Sequence, residues 1–180
     1  MQNDINIDTA QYTQPIQIHG TEPAKNLSEL LQRYPLVVLV FLRQLGCTFC
    51  KTMVINLKKL KEDDPTFPPI IFVHQGTIEQ GNEFFDKFWK NQIHISNTDL
   101  SLFHFFQIRV GKVKDVIGVR TFIKGIISFF KNGFKIRQTK RIGDGRMLSG
   151  MFLFQKGKLI WAHRAKYAGD EPNWKVFTSK

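Results

Sequence analysis

Apolar residues in this 180-residue chain fall into short blocks of two kinds, continuous and periodic. The run Leu36-Val37-Val38-Leu39-Val40-Phe41-Leu42, following Pro35, has no polar position and is rich in β-branched side chains. Such a run predicts a strand covered on both faces. Pro69-Ile70-Ile71-Phe72-Val73, beyond the turn Pro65-Thr66-Phe67-Pro68, predicts a second. Between these, Met53, Val54, Leu57 and Leu60 recur at helical spacing among lysines. Glu79 to Lys90 predicts another helix, with Phe84, Phe85 and Phe88 on its apolar face. Asn26 to Leu31 and Leu100 to Phe106 predict shorter helical turns, and His94-Ile95-Ser96 a short strand. Near the end, Gly150-Met151-Phe152-Leu153-Phe154 and Leu159-Ile160-Trp161-Ala162-His163 flank Gln155-Lys156-Gly157-Lys158. This four-residue connection, with glycine at its third position, predicts an antiparallel hairpin.

The order strand, helix, strand, helix, hairpin predicts an α/β fold with a central mixed sheet, a C-terminal antiparallel hairpin and helices on both faces. No repeat, low-complexity tract or Pro/Gly/Ser-rich linker interrupts the chain. Residues 1–180 are therefore expected to form a single domain, with the polar residues 1–15 flexible. At 42% hydrophobic and 13% aromatic residues, the composition excludes disorder over most of the length.

Charge is unevenly placed along the chain. The net charge is +11, and residues 109–146 hold eleven Lys/Arg against Asp115 and Asp144, a net of +9. The same segment carries Ile117, Phe122, Ile123, Ile126, Ile127, Phe129 and Phe130 in a helical pattern, so a basic helical insertion is expected at 109–146. Two readings are open: a face that meets an anionic partner, or a helix packed on the sheet with its lysines in water. No nucleic-acid-binding motif is present, and nucleic acid is not an expected partner. The longest apolar run falls far short of the ~20 residues that cross a bilayer, and no basic and apolar leader opens the sequence. A cytoplasmic location is expected.

The chemistry centres on the only two cysteines, Cys47 and Cys50, in Gly46-Cys47-Thr48-Phe49-Cys50. A multi-disulfide scaffold is thereby excluded. The pair follows a predicted strand and opens a predicted helix, so Cys47 sits at the positive end of the helix dipole, where a thiolate is favoured. This context points to redox work, with Cys47 as attacking nucleophile and Cys50 as resolving thiol. Two alternatives remain. Half a zinc site would need two further ligands, but His74, His94, His104 and His163 lack ligand spacing, so no metal is expected. Two inert core cysteines are the other. Arg43, four residues before Cys47, either lends positive potential to the thiolate or orients a peroxide, or else is a strand-end cation facing solvent; Lys51 reads as a solvated helix residue.

The block Val38-Leu39-Val40-Phe41-Leu42-Arg43-Gln44-Leu45-Gly46-Cys47-Thr48-Phe49-Cys50 and, later, Gly150-Met151-Phe152-Leu153-Phe154 with Ala162-His163-Arg164 and Ala168-Gly169-Asp170 resemble the thioredoxin-fold superfamily. More narrowly they resemble peroxiredoxin-like proteins of the alkyl hydroperoxide reductase/thiol-specific antioxidant type, including selenoprotein L-related redox proteins. The resemblance implies a thioredoxin-like fold, a thiol-dependent oxidoreductase acting on a peroxide or protein disulfide, no cofactor, and regeneration by a thiol reductant such as a thioredoxin or glutathione system. It also implies supporting roles for Gly46, Thr48, Phe49, Gly150, Arg164 and Asp170, with Arg164 and Asp170 pairing either to fix the C-terminal loop beside the site or as a surface salt bridge of small energetic consequence. Typical peroxiredoxins carry Pro-x-x-x-Thr-x-x-Cys; Val40 and Gln44 stand at those positions here, so the hydroxyl that binds peroxide oxygen is replaced by an amide. Thioredoxins carry a cis-proline before the hairpin strand, where this chain has Ser149-Gly150. A non-catalytic module of the same fold, binding an anionic partner through its basic segment, is the alternative function.

Overall fold

The computed structural model describes residues 7–112, 115 and 140–177. Six strands form one sheet: β1 (Gln17–His19), β2 (Leu36–Phe41), β3 (Ile70–His74), β4 (Ile93–Ser96), β5 (Gly150–Gln155) and β6 (Lys158–Arg164). Their spatial order is β1-β4-β3-β2-β5-β6. β2, β3 and β4 run parallel, whereas β1, β5 and β6 are each antiparallel to the neighbour they join. The expected mixed sheet with a C-terminal antiparallel hairpin is thus present.

β2 lies between β3 and β5, and Val37 to Phe41 are fully buried. Because side chains alternate across a strand, its apolar residues serve two cores at once. Val37, Leu39 and Phe41 pack with α1 (Leu27–Gln32), α4 (Ser101–Phe105) and Phe152 on one face. Val38 and Val40 pack on the other with Met53, Val54 and Leu57 of α2 (Thr48–Asp63) and Phe84 and Phe85 of α3 (Ile78–Phe88). Helices therefore cover both faces, and the cysteines belong to the second.

Several local expectations are revised. α3 ends at Phe88, because Trp89 is extended (φ −158°). The hairpin connection is two residues, Lys156 and Gly157, both at positive φ (49° and 78°), which tightens the expected four-residue turn. Within the first fifteen residues, Ile7, Thr9 and Tyr12 are buried, and the Tyr12 hydroxyl hydrogen-bonds Ser101 Oγ at 2.7 Å. The described part of this segment is therefore held against α4 rather than loose. β1 has no counterpart among the expected elements, since an edge strand of three residues with one half-buried position carries no periodic signal. The expected basic helix falls largely on residues 113, 114 and 116–139, which lie outside the described residues.

A buried polar chain ties β3, β4 and α3 together. The Gly76 N–H donates to His74 Nδ1 (3.2 Å), so the proton of neutral His74 sits on Nε2, 2.9 Å from His94 Nδ1. His94 Nε2 is in turn the donor to Asn82 Oδ1 at 2.9 Å. Both rings are satisfied as neutral imidazoles, and burial pushes His74 down to about 3 and His94 to about 4. Gly81 lies against them: a Cβ there would stand 2.4 Å from His74 Nε2 and 2.6 Å from His94 Cε1.

Two outcomes follow for stability. Gly81→Ala, which normally strengthens a helix, should here cost about 1–3 kcal/mol in urea unfolding; a neutral or stabilising result would contradict the close packing. As the unfolded chain takes up protons on histidine below about pH 6.5 and folded His74 does not, stability falls with acidification. The loss assignable to His74 between pH 6.5 and 5 is about 2 kcal/mol, and it stops growing only as the pH passes through the folded value. A stability flat across that window would argue against neutral buried imidazoles.

Candidate active site

β2 delivers the chain to the C-terminal end of the parallel strands, where it turns through Leu42–Gly46 into α2. Gly46 sits at φ +83°, in the left-handed region that glycine enters freely. Cys47 follows as the N-cap of α2, extended at φ −67° and ψ 133°, with no side-chain capping bond to the helix. The positive end of α2 therefore stays available to negative charge on the sulfur.

Three side chains brace this turn against residues 141–147. Leu45 and Ile142 exchange backbone hydrogen bonds of 3.1 and 3.0 Å. Gln44 Nε2 donates to the Gly143 carbonyl (2.9 Å), and the Gln75 amide links the Arg43 carbonyl to the Asp144 N–H, the latter at 2.6 Å. Arg43 completes the brace: Nη1 donates to the Gly145 carbonyl at 2.7 Å and Nη2 to Cys47 Sγ at 3.1 Å. Arg43 thus faces Cys47 rather than solvent.

Cys47 and Cys50 are free thiols, 4% and 2% exposed, 4.0 Å apart. The Cys50 thiol hydrogen-bonded to it holds Cys47 well below the ordinary cysteine range, and the Arg43 charge acts in the same direction against the cost of burial. The same hydrogen bond, then burial, pushes Cys50 well above its ordinary value. One sulfur is thus set up as the thiolate and its neighbour as the thiol that donates to it.

A cleft of about 430 Å³ opens on Cys47. Arg43, Gln44, Thr48 and Phe49 line it from the β2–α2 side, and Arg141, Gly145 and Arg146 from the facing loop. The expected residues Arg43, Gly46, Cys47, Thr48, Phe49 and Cys50 are therefore brought together. Gly169, at φ +82°, lies against the Phe49 ring and sets the C-terminal loop over it.

Three other expectations are corrected. Arg164 and Asp170 do not pair: Arg164 Nε donates to the Phe106 carbonyl (2.8 Å), and its guanidinium lies 5.1 Å from the Phe152 ring centre. Asp170 instead accepts from the Lys166 N–H at 2.8 Å, with His163 Nε2 at 3.8 Å. The cause is strand alternation, which sends Arg164 and its neighbour His163 to opposite faces of β6. Gly150 pairs with Phe41 at the sheet's centre and faces Ile108 and Phe152, away from the cysteines. Lys51 is 4% exposed, not solvated, with its ammonium 5.9 Å from the Phe88 ring centre. Arg141 and Arg146 line the cleft without having been singled out in the sequence; the density of Lys/Arg in 109–146 is their only signal. Among the described residues no cluster of His, Cys, Asp and Glu could hold a metal.

No family model matches the chain, and no curated protein does. Among solved structures it is similar to Xanthomonas campestris peroxiredoxin Q, at 17% identity over 92% of this chain and 88% of that one, with a TM-score of 0.59. A mutant of PrxQ from Xylella fastidiosa matches at 14% identity over 93% and 85%, TM-score 0.58. Peroxidoxin BcpB from Mycobacterium tuberculosis matches at 12% over 88% of each chain, TM-score 0.54. The sheet order, the cysteine at the head of the helix after the central strand and these likenesses agree: the chain has the thioredoxin-like fold of the peroxiredoxins.

Proposed function

We propose that this protein is a thiol-dependent oxidoreductase that cycles Cys47 and Cys50 between dithiol and disulfide while reducing a peroxide or a disulfide. The observation that carries the reading is the Arg43 guanidinium 3.1 Å from Cys47 Sγ, with the second thiol 4.0 Å from the first. In support, a protein of similar structure, the bacterioferritin comigratory protein of X. campestris, is described as reducing alkyl peroxides.

With a peroxide, the Cys47 thiolate attacks the terminal oxygen, the O–O bond breaks, and the leaving alkoxide takes a proton to depart as an alcohol. Cys47 is oxidised to a sulfenic acid and the peroxide reduced. Cys50 then attacks the sulfenic sulfur; its proton and the hydroxyl leave as water, and the Cys47–Cys50 disulfide forms. A thiol reductant, of the thioredoxin or glutathione kind, returns both thiols. The reaction requires no metal or organic cofactor. Arg43 stabilises the attacking thiolate, and the high pKa of Cys50 keeps it protonated until the first step has removed the negative charge beside it. Gln44, where a peroxiredoxin has its threonine, already donates its amide to Gly143. Peroxide oxygen would meet Arg43 and the head of α2 instead. No helix among the described residues is long and apolar enough to cross a membrane, and a reducing compartment such as the cytoplasm suits a resting dithiol.

Intact mass after equilibration in graded glutathione buffers tests the couple. A reversible loss of two hydrogen atoms with one midpoint is expected, and Cys47→Ser should abolish both it and turnover. Turnover retained in Cys47→Ser would overturn the assignment. Arg43→Met should raise the midpoint of the pH profile for Cys47 alkylation by about one pH unit; an unmoved midpoint would assign Arg43 to bracing the loop alone.

A further inference from the structure

The cationic side chains of the cleft exceed what the thiolate uses. Arg43 is committed to Cys47 and to the Gly145 carbonyl. Arg141 and Arg146 line the facing wall, and none of the described lining residues is acidic. Arg146 is bound at 3.2 Å by Asp144, an exposed pair of small strength. Among the described residues no carboxylate pairs with Arg141, and its charge adds to burial in pushing Lys51 downward. Arg141 thus adds positive charge that no described carboxylate offsets, and such an excess favours an anionic occupant. A volume of about 430 Å³ is in the range of small-molecule sites and far beyond the needs of hydrogen peroxide. Phe49 adds an apolar wall.

We propose that the cleft takes a small carboxylate-bearing disulfide, with its carboxylate on Arg141 and Arg146 and its sulfur–sulfur bond on Cys47. This rests on Cys47 being the attacking thiolate. The Cys47 thiolate attacks one sulfur; the new S–S bond forms as the old one breaks, and one carboxylate-bearing thiolate leaves. Cys50 displaces the second thiolate, which takes the Cys50 proton, so that the substrate is reduced to two thiols and the cysteine pair is oxidised. The reverse sequence would let the same thiol regenerate the dithiol.

The test uses the full chain with Cys50→Ser, in which the mixed disulfide on Cys47 accumulates and is read by intact mass after an acid quench. Three probes differ in charge: 3,3′-dithiodipropionate, 2-hydroxyethyl disulfide and cystamine, each rate divided by that of the probe with a free small thiol. The dianion is expected to react about fivefold faster than the neutral probe and cystamine slowest. In Arg141→Ser/Arg146→Ser the advantage should fall below about twofold. It should persist in Lys156→Ser/Lys158→Ser, which removes the same charge from the hairpin turn at the other end of β2. Equal rates for the three probes, or the same loss in both double variants, would overturn the inference and leave the attacking role of Cys47 intact. No adduct with any probe, in protein whose Cys47 still alkylates, would overturn that role and this inference with it.

Discussion

One guanidinium joins two parts of the chain that lie about a hundred residues apart: Arg43 donates to the Gly145 carbonyl and to the Cys47 sulfur at once. The rest of the site depends on this contact. A hydrogen bond from a charged donor is stronger than a neutral one. Here it aims positive charge at the thiolate and fixes the facing wall of the cleft. Gln44 and Gln75, with the Leu45–Ile142 bridge, repeat the same connection beside it, so the turn that bears Cys47 has several independent restraints. Each uses a backbone carbonyl or N–H that would otherwise need another partner.

The sheet makes that contact possible. β2 is buried on both faces and between two neighbours, and its C-terminal end is therefore among the most constrained points of the fold. Cys47 follows it by one short turn, at the head of α2. On the same face, α3 packs on the sheet through Phe84, Phe85 and the neutral His74–His94–Asn82 chain. A polar chain in a core is tolerated when every member has its partner, and here the Gly76 N–H fixes the tautomer of the first ring and so of the second.

The charge of the pair is divided by geometry as much as by residue type. Cys47 and Cys50 are both buried, and burial alone would raise both. Their mutual hydrogen bond and Arg43 separate them, lowering one and raising the other. Arg141 and Arg146 line the cleft wall that faces the sulfur.

Features encoded by neighbours in the chain are legible without the fold. The continuous run of β2, the 3.6-residue spacing of α2 and the Cys-x-x-Cys at their junction are local patterns, and they specify a central strand, an amphipathic helix and a thiol pair at its head. Phe84 and Phe85 are legible as core for the same reason. Tertiary structure decided whatever depends on distant partners or on which face a side chain takes. Adjacent residues on a strand point opposite ways, so Arg164 left the cysteine side and its expected pairing with Asp170, while Asp170 stayed with the Lys166 N–H. Lys51 went under Phe88, and Ile7 and Tyr12 joined the core. Arg141 and Arg146 became the wall opposite Cys47 only because the chain returns there from far along the sequence to pair with Leu45. Periodicity reads which residues share a face of one element; it does not read what that face meets.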